Sequence, residues 1–91
     1  AIVGLSKVAA AEGAKFDVRV NVVCPGFIVT DTIVKSMPPE ALRQTEGMMP
    51  TGRGGRPEEV AALVTWLLSD EASYISGAVI PVDGALSAAL V

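Results

Sequence analysis

The spacing of apolar residues changes along the chain and marks out its elements. Ile2, Leu5, Val8 and Ala9 recur three and four residues apart, the period of a helix with one apolar face. This predicts a helix over residues 1–13 that stops at Gly13, with Ala9, Ala10 and Ala11 small enough to let a neighbour pack closely. No capping residue precedes it. From Val18 the period drops to two. Val18, Val20 and Val22 alternate with Arg19 and Asn21, and Val23-Cys24 make the end apolar on both faces. A strand over 18–24 is predicted, of the kind covered by helices on both sides of a parallel sheet, and Pro25-Gly26 stops it in a tight turn.

Residues 26–50 form a long excursion. Within it a short helix is expected from Pro39, with Glu40 in its first turn and Gly47 at its end. Met37, Met48 and Met49 flank that helix. They read either as gap-filling core or as the lining of a lid over a greasy substrate, and the length of the excursion favours the lid. Thr51-Gly52-Arg53-Gly54-Gly55-Arg56 lacks the Lys-Ser/Thr of a phosphate-binding P-loop, so a flexible connector with solvated arginines is the expectation. Pro57 opens the clearest helix, with Glu58 and Glu59 complementing its dipole and Val60, Leu63, Val64, Leu67 and Leu68 forming one stripe. Trp66 lies off the centre of that stripe, as a boundary residue. Ala78–Val82 reads as a second strand, and Pro81 assigns it to a sheet edge. The uncharged tail from Ala85 to Val91 is expected to dock against a neighbour. Helix, strand, lid, helix and strand in this order give an α/β chain whose two strands are parallel with a right-handed crossover.

Composition narrows the function classes. The 91 residues are 51% hydrophobic and 19% charged, which opposes disorder, and they suffice for one domain at most. So much apolar surface in a short chain calls for partners, either further strands or another subunit. A net charge of −3 with no basic stripe disfavours nucleic acid. No apolar run approaches the roughly 18 residues of a membrane span. Cys24 is the single cysteine and histidine is absent, so an internal disulfide and a Cys/His metal site are excluded. A reducing, cytoplasmic setting is expected.

Several segments resemble the short-chain dehydrogenase/reductase family, in order and with family-like spacing. Ile2-Val3-Gly4-Leu5-Ser6-Lys7 is similar to the stretch after the family's Tyr-x-x-x-Lys pair. Arg19 to Thr30 resembles its sixth strand and Pro-Gly cofactor loop. Gly52-Arg53 with Arg56-Pro57-Glu58-Glu59-Val60-Ala61 resembles the start of the penultimate helix, Leu67 to Gly77 that helix's end, and Val79-Ile80-Pro81-Val82-Asp83-Gly84 the last strand. Together they cover most of the chain, and the look is nearest to 3-oxoacyl-acyl-carrier-protein reductase-like enzymes. Thr32 departs from a common Met, and Ala85 from a frequent second Gly.

The resemblance implies the C-terminal portion of a Rossmann-type doubly wound parallel sheet, with residues 1–91 part of a single domain. It implies an NAD- or NADP-dependent oxidoreductase interconverting a small-molecule carbonyl and alcohol by hydride transfer, assembled as a homo-oligomer, dimer or tetramer. By the same resemblance Pro25 and Gly26 form the turn beside the nicotinamide. The Ile28 backbone bonds the carboxamide, and the Thr30 hydroxyl bonds the carboxamide or the pyrophosphate. Thr30 also reads as the cap of a short helix, and the two roles can coexist. No catalytic Ser, Tyr-x-x-x-Lys or glycine-rich first turn stands in these residues, and Tyr74 has no Lys four residues on. Such groups are expected upstream of Ala1, which leaves this segment without catalytic residues of its own. A non-catalytic oligomerisation module is the reading from a different class.

Overall fold

The structure, a computed structural model, describes residues 1–90. The first helix, α1 (Ile2–Gly13), begins at Ala1 without a side-chain cap. It ends at Gly13 as expected, but not through a left-handed glycine. The Gly13 backbone stays helical (φ −76°, ψ −18°), a 3₁₀ turn over Ala14–Phe16 follows, and Asp17 at φ 61° is the left-handed residue that stops the chain. Aspartate tolerates that conformation better than most residues. Gly13 instead meets a close approach, since a Cβ there would lie 3.2 Å from both the Cβ and the carbonyl oxygen of Val18.

The sheet is a parallel pair, β1 (Val22–Pro25) and β2 (Val79–Val82), in register Val22↔Val79, Val23↔Ile80, Cys24↔Pro81 and Pro25↔Val82. β1 is shorter than the alternation predicts, because the residues before it face a turn rather than a strand. The Val20 N–H donates to Ser76 Oγ (3.1 Å), and the Gly77 N–H donates to the Val20 carbonyl (2.7 Å). The Asn21 amide donates to the Ile75 carbonyl (3.0 Å) while its oxygen accepts from the Ala78 N–H (3.1 Å). The Arg19 guanidinium reaches the carbonyls of Ile75 and Ser69, both at 3.3 Å. The polar half of the alternation thus clamps the 69–78 segment, and ladder pairing starts only beyond it.

Two helices, α2 (Asp31–Ser36) and α3 (Pro39–Gly47), occupy the excursion after β1: α3 starts at Pro39 as expected, and α2 is the short helix that the capping reading of Thr30 implies. The helix α4 (Pro57–Leu67) follows, then a 3₁₀ turn over Asp70–Ala72, β2, and a one-turn helix α5 (Leu86–Ala89). The inward stripe of α4 is narrower than its pattern. Val60 and Leu63 are half-buried and Leu67 is buried, whereas Leu68 is 79% exposed. Trp66 is a boundary residue, 40% exposed. In the tail Leu86 is half-buried and Leu90 exposed, and Val91 lies outside the described residues. No helix among the described residues is long and apolar enough to cross a membrane.

The interior is thin. The buried apolar residues are Ala10, Leu67 and Ala72, and the described chain extends over 51 × 27 × 20 Å. The apolar face of α1 points outward, with Ile2, Leu5 and Val8 all exposed. Small Ala10 makes the inward contact, opposite Gly77.

Candidate functional site

Both strands end on the same side, and the loops that leave their carboxyl ends meet there. That is where open α/β sheets bind ligands. β1 runs out at Pro25, and the Gly26 N–H donates to the Val82 carbonyl (3.0 Å). A Cβ on Gly26 would lie 2.5 Å from the Cβ and 2.8 Å from the Cα of Asp83, so only glycine lets the two strand ends touch. Asp83 is itself fixed. Its carboxylate accepts from the Ala85 N–H (3.1 Å) and the Ser87 N–H (3.0 Å). Hydrogen bonding, from Ser87 foremost, holds this carboxyl below its ordinary range. Ala85 takes the left-handed conformation at φ 71° that glycine would adopt more cheaply.

Beyond Gly26 the chain makes one isolated parallel bridge, Ile28↔Gly55. The Gly55 N–H donates to the Phe27 carbonyl (2.9 Å) and the Val29 N–H to the Gly55 carbonyl (2.8 Å). In a parallel bridge the central residue's own N–H and C=O point to the opposite edge. Ile28 is that residue. Its peptide groups have no protein hydrogen bond among the described residues, and Ile28 is only half-buried. A donor and an acceptor are therefore held side by side on a pinned segment.

Thr30 caps α2, with Oγ1 accepting from the Ile33 N–H (3.2 Å). Capping uses the oxygen as an acceptor and leaves the hydroxyl hydrogen free to donate. The helix-cap role is thus realised and does not exclude a ligand contact.

The Gly/Arg loop is not the unpaired connector its composition suggests. Arg53 forks onto Glu59, Nη1 to Oε1 at 2.8 Å and Nη2 to Oε2 at 3.1 Å, and Nη1 also donates to the Gly54 carbonyl (2.9 Å). Glu59 Oε1 further accepts from the Arg56 N–H (3.0 Å), and Glu46 Oε2 accepts from the Gly54 N–H (2.8 Å). A carboxylate that receives a charged fork is stabilised in its ionised form. The hydrogen bond from Arg53, then that from the Arg56 backbone, hold Glu59 at about 2 against an ordinary 4.5. The same bond raises Arg53. A depressed carboxyl stabilises the fold above its unfolded-state value and loses that contribution as pH falls toward its folded one. The pair is therefore expected to stay ionised in the folded protein down to about pH 2, while the stability it adds is full above about pH 4.5 and is lost as pH falls from there toward 2. Following the Glu59 carboxyl carbon by NMR titration checks this, with a midpoint far below 4.5 expected.

A cleft of about 80 Å³ opens between these loops, lined by Ile28, Met49, Arg53, Glu59 and Asp83 among others. Of the four residues the sequence nominates, Ile28 alone lines it. Pro25, Gly26 and Thr30 lie on the same loop and shape its path. The sequence did not flag Glu46 or the Arg53–Glu59 fork, whose members come from three separate segments. Glu59, three residues after Arg56 at the helix start, carried the one local signal.

This arrangement belongs to a known class. A family model described as enoyl-(acyl carrier protein) reductase matches residues 1–87, and the chain belongs to the short-chain dehydrogenase/reductase family. Among its relatives, the 3-oxoacyl-[acyl-carrier-protein] reductase FabG of Thermotoga maritima is 44% identical over 85 residues, which are 93% of this chain and 34% of that protein. The crystal structure of a short chain dehydrogenase family protein from Francisella tularensis superposes with a TM-score of 0.85 at 37% identity, over 96% of this chain and 40% of that one. YwfH, described as an NADPH dependent reductase involved in bacilysin biosynthesis, superposes at 0.80 with 38% identity, over 90% of this chain and 35% of its own. The chain thus spans about a third of the length of the curated relatives it matches. Their likeness establishes a Rossmann-type α/β fold.

Proposed function

We propose that this chain forms the nicotinamide side of an NAD- or NADP-dependent oxidoreductase that interconverts a small carbonyl compound and its alcohol. The observation that carries the reading is the free peptide edge of Ile28. A carboxamide offers one carbonyl acceptor and one amine donor, and the Ile28 N–H and C=O offer the complementary pair. The bridge to Gly55 holds that edge open, and Gly26 brings it against the end of β2. The Thr30 hydroxyl keeps its hydrogen free beyond its capping bond, and in this reading it donates to the carboxamide or the pyrophosphate. A bound nicotinamide supplies or accepts the hydride. The chain's own contribution is to bind that group and fix its orientation against a substrate. The segment 26–50, with α2, α3 and Met49 at the cleft, acts as a lid that excludes water. General acid/base groups belong to the remainder of the enzyme, and the working compartment is the cytoplasm.

In the full-length protein, Thr30→Val is expected to raise the Kd for NADH or NADPH about two- to tenfold, the equivalent of one hydrogen bond of about 0.5–1.5 kcal/mol. Calorimetric titration beside thermal melting is the test. A fall in melting temperature with unchanged Kd assigns Thr30 to capping alone, and failure of the unaltered protein to bind either cofactor overturns the reading.

The exposed apolar residues Ile2, Leu5 and Val8 on α1, with Trp66 on α4, Val79 on β2 and Leu90 in the tail, favour an assembly role as well. We assign the β2 and α4 face to a two-fold contact with a second copy. Leu90, 80% exposed, is a cheap place to test it. Leu90→Asp is expected to lower the mass read by light scattering, and an unchanged mass counts against the contact.

A further inference from the structure

The cluster of Glu46, Arg53 and Glu59 does more than close a loop. Its hydrogen bonds converge on one peptide unit on each side of Gly54. Glu46 holds the Gly54 N–H, and Arg53, itself forked onto Glu59, holds the Gly54 carbonyl. The next residue, Gly55, makes the two bonds that fix Phe27 and Val29 around Ile28. No slack separates the two strands of this bridge. A Cβ on Gly54 would meet Val29 Cγ2 at 2.5 Å, and one on Gly55 would meet Ile28 Cδ1 at 2.8 Å. Gly54 is buried, whereas the side chains of Arg53 and Glu59 are 49% and 34% exposed. Exposed ion pairs contribute little to global stability. This one is nonetheless bidentate and doubly supported by backbone groups, which is costly to arrange for a connector. We propose that Glu46, Arg53 and Glu59 are positioning residues for cofactor binding: by clamping Gly54 they set the Gly55 bridge, and the bridge sets the direction of the Ile28 peptide groups.

The inference rests on the reading of Ile28 as the carboxamide contact. Arg53 and Glu59 also line the cleft, and in this inference the effect of all three on cofactor binding runs through Gly55, which the exchange rates at Val29 and Gly55 report. The positioning residues belong to three segments, the end of α3, the loop and the first turn of α4, so they also tie the proposed lid to the cofactor edge. In that arrangement the position of the lid and the aim of Ile28 are coupled.

The test uses the full-length protein with three single variants, Glu59→Gln, Arg53→Gln and Glu46→Gln, and the double variant Arg53→Gln/Glu59→Gln. NADH and NADPH Kd values are measured by calorimetry. Amide hydrogen exchange at Val29 and Gly55 is measured without cofactor. Each single variant is expected to raise Kd roughly three- to tenfold and to speed exchange at both amides. The double variant should be no worse than the weaker single, because the two side chains act as one unit. Melting temperatures identify any variant that fails to fold, and the half-exposed positions leave at least one variant to measure. Unaltered Kd in folded variants, or faster exchange with Kd unchanged, overturns the inference while leaving the Ile28 reading standing. Absence of cofactor binding in the unaltered protein overturns both.

Discussion

Replacing Gly26 with alanine is expected to cost about 2–4 kcal/mol of stability and to abolish measurable cofactor binding. Overpacking a tight contact usually costs about 1–3 kcal/mol, more when backbone must move. Here the added methyl would sit 2.5 Å from Asp83 Cβ and 2.8 Å from its Cα. Asp83 cannot swing away, because its carboxylate accepts from the Ala85 and Ser87 N–H groups and its carbonyl from the Leu86 N–H. The strand ends must therefore separate. That breaks the bond from the Gly26 N–H to Val82 and displaces Ile28 from the edge it presents. Denaturant unfolding and calorimetric titration of the same variant check the two losses together. Retained affinity in a folded Gly26→Ala protein would detach the Pro-Gly turn from the cofactor.

Leu67→Ala is expected to destabilise by about 2–5 kcal/mol, the range for removing a buried leucine. Leu67 is the one large side chain among the buried residues described, and it lines a cavity together with Val20, Val23 and Val64. Its neighbour is the control. Leu68 is 79% exposed, and Leu68→Ala should stay within about 0.5 kcal/mol if that surface is free. Chemical denaturation of the two variants side by side gives the answer. A larger loss at Leu68 than at Leu67 would mean that a partner covers the outer side of α4.

The sequence disclosed the parts of this fold whose signals are local. Proline at a first helical position located α3 and α4, and Pro25-Gly26 located the end of β1. The short helix α2 was signalled by its cap Thr30 alone, since its six residues span under two turns and carry little periodicity. Asn21 misled, because alternation counts it as a strand residue while its side chain replaces ladder bonds with a clamp on Ile75 and Ala78. Gly13 marked the end of α1 correctly but for a different physical reason. A glycine after a helical pattern signals a left-handed stop, yet Gly13 answers to the proximity of Val18, a contact made only on folding. At the site, the turn glycine and the capping threonine were legible. The clamp on Gly54 was not, because Glu46 and Glu59 become neighbours of Arg53 only once the excursion folds back. The outward face of α1 teaches a related lesson. Periodicity announced an apolar stripe but carried no information on what lies against it.

On the proposed function, the Ile28 peptide groups receive the nicotinamide carboxamide. Amide hydrogen exchange at Ile28 in the full-length protein, with and without saturating reduced cofactor, tests it most directly. Fast exchange of the Ile28 amide is expected beside protected amides at Val29 and Gly55, with strong slowing at Ile28 once cofactor binds. Saturation of the protein with cofactor while Ile28 exchanges at its free rate would contradict it.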